Sequence, residues 1–262
     1  MQIAIHTVFI LKENILFLEE WVQYHILLGF NKFYLYDNSK VNKITGWDTR
    51  HSKTIVFGKI NKYNINYDEL IKIDETQMYD CLKKICDKYK CIEIIEWSPK
   101  DAGGRILYDQ FGAHLDCFKK LQNDNIDWCA YIDMDEYIVM NNYDNIEIYL
   151  SSLKPEINSV RMGQRRFETR FYNLDKLVTD ITKSEKKTIA RHEANKNIFK
   201  VKNTKTPNIH SVSLICGRVH IPSINEICIN HYKLKEAEYK EIDNIHTNIK
   251  SQLHKKSFIP IE

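Results

Sequence analysis

Glycine and proline are scarce in this chain of 262 residues, at 8 and 5, which excludes a collagen, a low-complexity linker or a disordered tail. No window reaches the ~18 apolar residues that a membrane-spanning helix needs. The opening MQIAIHTVFILKEN has neither the basic region nor the small-residue cleavage site of a secretory signal. Neither charge dominates, since 38 Lys/Arg face 35 Asp/Glu for a formal +3, and a bulk polyanion partner is not expected. Cys81, Cys86, Cys91, Cys117, Cys129, Cys216 and Cys228 form no CxxC pair and no zinc-ribbon spacing, so they read as reduced core thiols rather than a disulfide framework or a metal knot. A Walker loop, GxxxxGK[ST], is also missing, which lowers the expectation of a P-loop phosphotransferase. These absences together point to the cytosol, with a peripheral membrane attachment left open.

What is present is a globular composition, 43% hydrophobic and 11% aromatic. The length suits one α/β unit with an appended segment. Charge is unevenly spread. Between Arg165 and Lys205 twelve Lys/Arg meet five Asp/Glu, a local +7 that leaves −4 on the remainder; this stretch either faces an anion or is a solvated basic loop.

Hydrophobic periodicity orders the first half. The run from Ile3 to Leu11 predicts a strand, Lys12-Glu13-Asn14 a loop, and Leu18, Trp21, Val22, His25 and Leu28 a helix closed at Gly29. Asn31 to Tyr36 predicts the next strand, residues around Leu82 to Tyr89 a helix, and Cys91 to Trp97 a strand. Arg105 to Leu121 follows as a helix with Leu107, Phe111, Leu115 and Phe118 on one side, then Trp128 to Ile132 as a strand. Strands alternating with helices predict a mostly parallel, Rossmann-like sheet covered on both faces, which binds ligands beyond the carboxyl ends of its strands. After residue 155 short strands are expected at Ser159 to Met162, Ile198 to Val201, Ile209 to Cys216 and Ile224 to Asn230. A last helix is expected from Lys235 to His254, with Ile242, Ile245, Ile249 and Leu253 as its seam.

Three carboxylates in four residues, Asp133, Asp135 and Glu136, follow WCAYI. Carboxylates packed at a strand end repel one another and resist leaving water, so they need a compensating cation. On an extended chain Asp133 and Asp135 share a side, and a hard divalent ion suits their oxygens while leaving positions for phosphate. An ordinary acidic turn is the alternative.

The segment Glu20-Trp21-Val22-Gln23-Tyr24-His25-Ile26-Leu27-Leu28-Gly29, running on to Phe33-Tyr34-Leu35-Tyr36-Asp37-Asn38-Ser39, resembles the signature EWxxYHxxLGxxxFxxYDN of the glycosyltransferase family 2 and family 92 group of GT-A enzymes. Gln110 to Cys117 is similar to that group's QxxAxxxC helix, Trp128 to Tyr137 to its WxxxIDxDEF strand, and Asn230-His231-Tyr232 to its NHY. Departures are Lys12-Glu13-Asn14 in place of KNE, and Tyr137 in place of Phe.

The resemblance implies a GT-A domain over 1–235, with a nucleotide-sugar half at 1–140 and a smaller mixed acceptor half at 141–235, and a C-terminal helix over 236–262. It implies inverting, hexosyl-type transfer from a nucleotide-sugar, UDP-linked by preference, to a hydroxyl of a glycan or glycoconjugate. Mn²⁺ or Mg²⁺ would sit on Asp133 and Asp135, with His231 or His210 completing the set. Donor contacts are expected from Asp37, Asn38, Arg105, Gln110 and Asp133. Arg105 follows Gly103-Gly104 and is expected to open the helix before the acidic strand. Asp135 and Glu136 belong to the reacting centre, and Glu136, Asp101, Glu168 and Glu193 are the carboxylates that could deprotonate an acceptor. Trp21 reads as core, His25 as orienting a loop, and Arg165, Arg166 and Arg170 as facing the diphosphate or an anionic acceptor. The rivals are a metal-dependent nucleotidyl or phosphoryl transferase and a nucleotide-sugar-binding module with a weak site. A nucleic-acid binder is not supported, because the basic stretch lacks a recognition element.

Overall fold

The computed structural model describes residues 1–41, 44–45, 54–55, 73–172, 174–185, 195–234, 239–241 and 253. Strand β1 (Ile3–Phe9) is buried along its whole length. Its side chains alternate: Ile3, Ile5 and Phe9 join one core layer, and Ala4 and Val8 the other. Helix α1 (Leu11–Leu27) begins directly after it, so Lys12, Glu13 and Asn14 form its first turn rather than a loop. The helix can start without a side-chain cap because Ser39 Oγ accepts from the Leu11 N–H at 2.7 Å. It ends as expected at Gly29, whose φ of 107° is open to glycine. There the Gly29 N–H reaches Ile26 O at 2.9 Å and the Phe30 N–H reaches His25 O at 3.0 Å, the double bond of a Schellman close. A Cβ at this position would lie 2.6 Å from the Asn145 side chain.

The chain continues through β2 (Lys32–Asp37), the two-residue strands β3 (Ile44–Thr45) and β4 (Thr54–Ile55), α2 (Glu75–Lys88) and β5 (Ile92–Glu96). Asp74 and Gln77 close a capping box on α2. Then come α3 (Gln110–Asn123), β6 (Trp128–Tyr131), β7 (Glu136–Met140), α4 (Ile146–Ser152) and β8 (Ile157–Glu168). Helix α3 starts at Gln110 and not at Arg105, because Asp109 caps it by accepting from the Gly112 N–H at 2.8 Å. Its buried face is Ala113, His114, Cys117, Phe118 and Leu121, one step round from the face the sequence suggested, and Phe111 is left 43% exposed. The rest is β9 (Lys183–Glu185), β10 (Lys196–Lys200), β11 (Thr204–Pro207), β12 (Val212–Leu214), β13 (Arg218–His220), β14 (Ile227–Leu234) and β15 (Tyr239–Glu241). Strand β15 falls where a helix was expected. The other residues of that expected helix lie outside the described ones, except Leu253, which is buried in the main core.

Eleven strands form one sheet in the order β15-β9-β8-β10-β6-β1-β2-β5, with β7, β13 and β14 off that path. The first half, β6-β1-β2-β5, is parallel throughout. Helices α1 and α2 pack against one face through Leu18, Trp21, Val22, Leu82 and Ile85. Helix α3 packs against the other through Ala113, Cys117 and Leu121. This is the GT-A-like α/β architecture. Antiparallel β10 lies between β6 and β8 and joins the parallel half to a mixed second half. All seven cysteines are free. Cys81, Cys117, Cys129 and Cys228 are buried as expected of core thiols, Cys86 and Cys91 are partly buried, and Cys216 is exposed. Among the described residues no helix is long and apolar enough to cross a membrane.

Candidate active site

The carboxyl ends of β1, β2 and β6 lie on one edge of the sheet, and the acidic segment stands there. After Tyr131 the chain leaves β6, held by the Ile132 N–H on His6 O at 3.2 Å. It then turns: the Glu136 N–H donates to Asp133 O at 3.0 Å, and Glu136 Oε2 accepts from the Asp133 N–H at 2.9 Å. Asp133 and Asp135 therefore flank a tight turn rather than sharing one side of a strand. Fully buried Glu136 opens β7 opposite His231 of β14, and the Tyr232 N–H reaches Asp135 O at 2.9 Å.

Four side chains converge on this turn. Gln110, at the head of α3, donates Nε2 to Asp133 Oδ1 at 3.0 Å. Lys196, the first residue of β10, places Nζ 2.9 Å from Asp133 Oδ2 and 3.4 Å from Glu136 Oε2. Gln164 of β8 donates Nε2 to Glu136 Oε1 at 2.9 Å. His231 sets Nε2 3.2 Å from Asp135 Oδ2 and Nδ1 3.3 Å from Glu136 Oε1. Gln164 Oε1 also stands 3.3 Å from His231 Nδ1.

Lys196 shows how the acids tolerate one another. Its side chain is 2% exposed. Burial opposes its charge, yet Asp133 and Glu136 outweigh burial and hold its pKa above the ordinary lysine value. Burial would raise the Asp133 carboxyl, but Lys196 overcomes it and keeps the group below the usual aspartate value. Glu136 is pushed up by burial despite the same lysine. The Asp133 and Asp135 side chains are 34% and 24% exposed, so the aspartates, and not Glu136, face solvent. Tyr108 lies close enough for Asp133, Glu13 and Asp135 to add to the upward push of burial on its hydroxyl. Below the turn, His6 Nε2 and His114 Nδ1 share a proton at 2.8 Å.

The other expected residues sort clearly. His231 is the histidine brought to the aspartates; His210 Nδ1 bonds instead to Asn195 O at 3.2 Å. Asp37 accepts from Ser39 and, at 3.0 Å, from the Tyr79 hydroxyl, while Asn38 Nδ2 donates to Trp97 O at 2.7 Å and Leu107 O at 3.1 Å. Both tie loops at the sheet edge. Arg105, expected at a helix start, is a loop residue. Its side chain is 63% exposed and pairs with Asp101 at 2.6 Å. Asp101 also caps its own turn through the Gly103 and Arg105 N–H groups, both at 2.9 Å. Glu168 ends β8 opposite Leu234. Glu193 lies outside the described residues.

Two of the three arginines expected at an anion are engaged elsewhere. Arg170 is buried against Glu20 at 2.5 Å and stacks over the Phe17 ring. Arg165 donates to Ile224 O at 3.1 Å and to Asn225 Oδ1 at 3.0 Å. Gln164 and Lys196 were not read from the sequence as site residues. Lys196 stands two residues before the predicted strand Ile198 to Val201 in a lysine-rich stretch, and nothing in the sequence singles it out.

The family model described as glycosyltransferase family 92 matches residues 60–261, a stretch that includes the acidic turn, Gln110, Gln164, Lys196 and His231. No curated protein matches the chain. Among solved structures, Staphylococcus aureus TarS 1–349 is similar at 8% identity and a TM-score of 0.45, over 88% of this chain and 60% of that one. A cytidylyltransferase from Leptospira borgpetersenii is similar at 10% identity and 0.31, over 77% of this chain and 60% of that one. An apo UDP-glucose pyrophosphorylase is similar at 11% and 0.29, over 93% of each chain.

Proposed function

The chain belongs to glycosyltransferase family 92, and from that premise we propose that it transfers a glycosyl unit from a nucleotide-sugar, UDP-linked by preference, to a hydroxyl of a glycan or glycoconjugate. We propose Asp135 and His231 as the protein ligands of a divalent ion, Mn²⁺ or Mg²⁺.

The observation that carries the metal assignment is the set of atoms around His231. Nδ1 faces two acceptors, Glu136 Oε1 and Gln164 Oε1. Nδ1 therefore carries a hydrogen, and Nε2 lies 3.2 Å from the carboxylate oxygen Asp135 Oδ2. Either a proton or a dication between Nε2 and the carboxylate makes this contact favourable, and in the donor-bound enzyme we assign the dication. A carboxylate behind the far nitrogen is the usual arrangement for a metal-ligating histidine. Among the described residues no three His, Cys, Asp or Glu side chains form a metal-holding group. Two protein ligands with the remainder from phosphate and water is the pattern of a hard dication on a nucleotide. When bound, such an ion neutralises charge on the departing diphosphate as a Lewis acid.

The chain's own residues account for the rest of the reading. Gln110 and Lys196 fix both Asp133 oxygens, so this aspartate stands as a rigid anionic wall beside the donor position. Glu136 is fully buried and engaged at both oxygens, which argues against a role as acceptor base. Asp101 is neutralised by Arg105. Glu168 then remains among the described candidates, with Glu193 outside them, and we assign Glu168 to the acceptor proton.

A screen of UDP-, GDP- and dTDP-sugars with and without Mn²⁺ tests this. Metal-dependent release of nucleoside diphosphate and free or transferred sugar is expected, and Asp135→Asn lowers it by about 100-fold or more. Pyrophosphate release would point to nucleotidyl transfer. Tight UDP binding without turnover on any donor would leave a binding module.

A further inference from the structure

We propose that Arg161, Asn195 and Asn197 form a pocket for the anionic group, carboxylate or phosphate, of an acidic acceptor sugar. The inference rests on the transferase reading above and deepens it by naming the chemical class of the acceptor.

Strand register sets a polar row beneath helix α3. Arg161 of β8 stands opposite Asn197 of β10, Asn197 opposite Tyr131 of β6, and Tyr131 beside His6 of β1. Residues paired across strands share a face of the sheet. Tyr131 packs with Ala113 and Cys117 of α3, so this is the face that α3 covers. Ser159 joins the same face, since it stands opposite Phe199.

The polar atoms gathered here are short of partners. Arg161 Nε, Asn195 Oδ1, Ser159 Oγ and both Oδ1 and Nδ2 of Asn197 are buried without a hydrogen bond among the described residues. Asn195 and Asn197 are only 4% and 3% exposed. Buried amides left this way are costly, and so many side by side mark a place where a ligand completes the set. Ordered water can serve amides and hydroxyls, but it brings no counter-charge. The guanidinium therefore decides the ligand. Arg170 and Arg105 each pair with a carboxylate, whereas Arg161 has none among the described residues. A planar fork of donors suits a carboxylate or phosphate, and amide oxygens beside it suit sugar hydroxyls.

Position separates acceptor from donor. Side chains alternate along a strand, so Gln164 of β8 and Lys196 of β10 point to the face opposite Arg161 and Asn197. Gln164 holds His231, and the ion and diphosphate of our reading belong with it on that other face. The pocket still adjoins the acidic turn, because Lys196, between the two asparagines, meets Asp133 at 2.9 Å. Arg161 is half-buried, and Gly163, two residues further along the same face, puts no side chain between it and the sheet edge.

The test is calorimetric titration of the full chain, in chelator, with glucose, glucuronate and glucose 6-phosphate, which differ only in the group on the sixth carbon. At least one of the two anions is expected to bind about tenfold or more tightly than glucose, and the tighter one names the anion. Arg161→Met is expected to abolish that preference and to leave the ligand-free Tm unchanged or higher, because the guanidinium has no internal partner to lose. Equal binding of all three sugars overturns the proposal. So does a preference that survives Arg161→Met, which would place the anion at surface lysines. A ligand-free Tm lowered as far as by a core truncation would mark a structural arginine and overturn it too.

Asn197→Asp decides the matter if Arg161→Met does not fold. It keeps the side chain's shape and sets a carboxylate opposite the guanidinium, in competition with the ligand's own. Anion affinity is expected to fall by about tenfold or more and the ligand-free Tm to rise; undiminished affinity overturns the proposal. Under turnover, Arg161→Met should raise the KM for an acidic acceptor and leave the donor KM unchanged, and a raised donor KM would instead place Arg161 at the diphosphate and overturn the acceptor assignment. Failure of every nucleotide-sugar to turn over would defeat the transferase reading, and the acceptor role with it, while the anion site is judged by the titrations, which need neither donor nor metal ion.

Discussion

Gln164 touches two groups that function would need held still. It donates to Glu136 Oε1 at 2.9 Å and accepts from His231 Nδ1 at 3.3 Å, so one amide sets both the carboxylate behind the ring and the ring's tautomer. Gln164→Leu removes this brace while keeping a similar volume. Its expected effect is a loss of about 10- to 100-fold in Mn²⁺ affinity or turnover, the range seen when outer partners of ligands are removed, with Tm lowered much less than for a core truncation. Unchanged Mn²⁺ affinity would show that β14 alone orients His231. Asp135 and His231 were legible as sequence because each sits in a short local motif. Gln164 and Lys196 were not. They reach the turn from β8 and β10 through strand pairing, and a single glutamine or lysine carries no spacing that would announce it. Arg170 was misread for the same reason. Its partner Glu20 lies 150 positions away, and charge counting along the chain treats a buried ion pair and a solvated arginine alike.

Helix α1 shows what the longest sequence motif does as an element. Trp21 donates Nε1 to Glu136 O at 2.9 Å, and the Tyr24 hydroxyl donates to Ile138 O at 2.9 Å. His25 bonds Nδ1 to Trp21 O at 2.8 Å and accepts from the Ile138 N–H at 3.4 Å. A carbonyl can only accept and an amide N–H can only donate, so His25 carries its proton on Nδ1. Steps of three and four residues put these side chains on one face, and that face staples β7, the strand that follows the acidic turn. Glu20 extends the same helix to the segment after β8, accepting from Arg170 at 2.5 Å and from the Val178 N–H at 2.6 Å. Glu20→Gln would leave the guanidinium buried without its counter-charge, at a cost of about 3–5 kcal/mol. Glu20→Gln with Arg170→Met should recover much of that loss in urea unfolding, whereas an additive double variant would show that the pair is not coupled. Trp21 was correctly read as core. The bounds of α1 and α3 were less legible, since Ser39 Oγ receives the first N–H of α1 from a distant loop, and Asp109 sets the start of α3 inside an apolar-looking run.

At the scale of the molecule, the parallel half was legible because alternating strands and helices are a local pattern. The second half was only partly so, since β8, β10 and β14 are placed by pairings between distant segments. That long-range packing also buries histidines beneath the sheet edge, and acid should expose its cost. Burial lowers His6 and His25 from 6.5 to about 3 and drives His114 well down, so all three stay neutral in the folded chain. The unfolded chain takes up protons near pH 6.5, while the folded one does not until near pH 3. Stability is therefore fully present above pH 6.5 and falls as pH drops between those values. At pH 5 each of His6 and His25 should cost about 2 kcal/mol relative to pH 7, a large part of the roughly 5–15 kcal/mol that holds a typical domain. Glu136 works the other way: its raised carboxyl binds a proton more readily in the folded chain and offsets part of the loss. Asp133, held down, adds to the loss only below its ordinary value of 3.8. Urea unfolding at pH 7 and pH 5, in chelator, should show a fall to which His6 and His25 together contribute about 4 kcal/mol, increased by His114 and partly offset by Glu136, with imidazole resonances of the folded chain failing to titrate at His6 and His25 above pH 4. Equal stability at the two pH values, or a folded-state titration near pH 6 at either ring, would mean that water or a polar partner reaches these histidines and that the sheet edge below the acidic turn is less tightly packed than the structure has it.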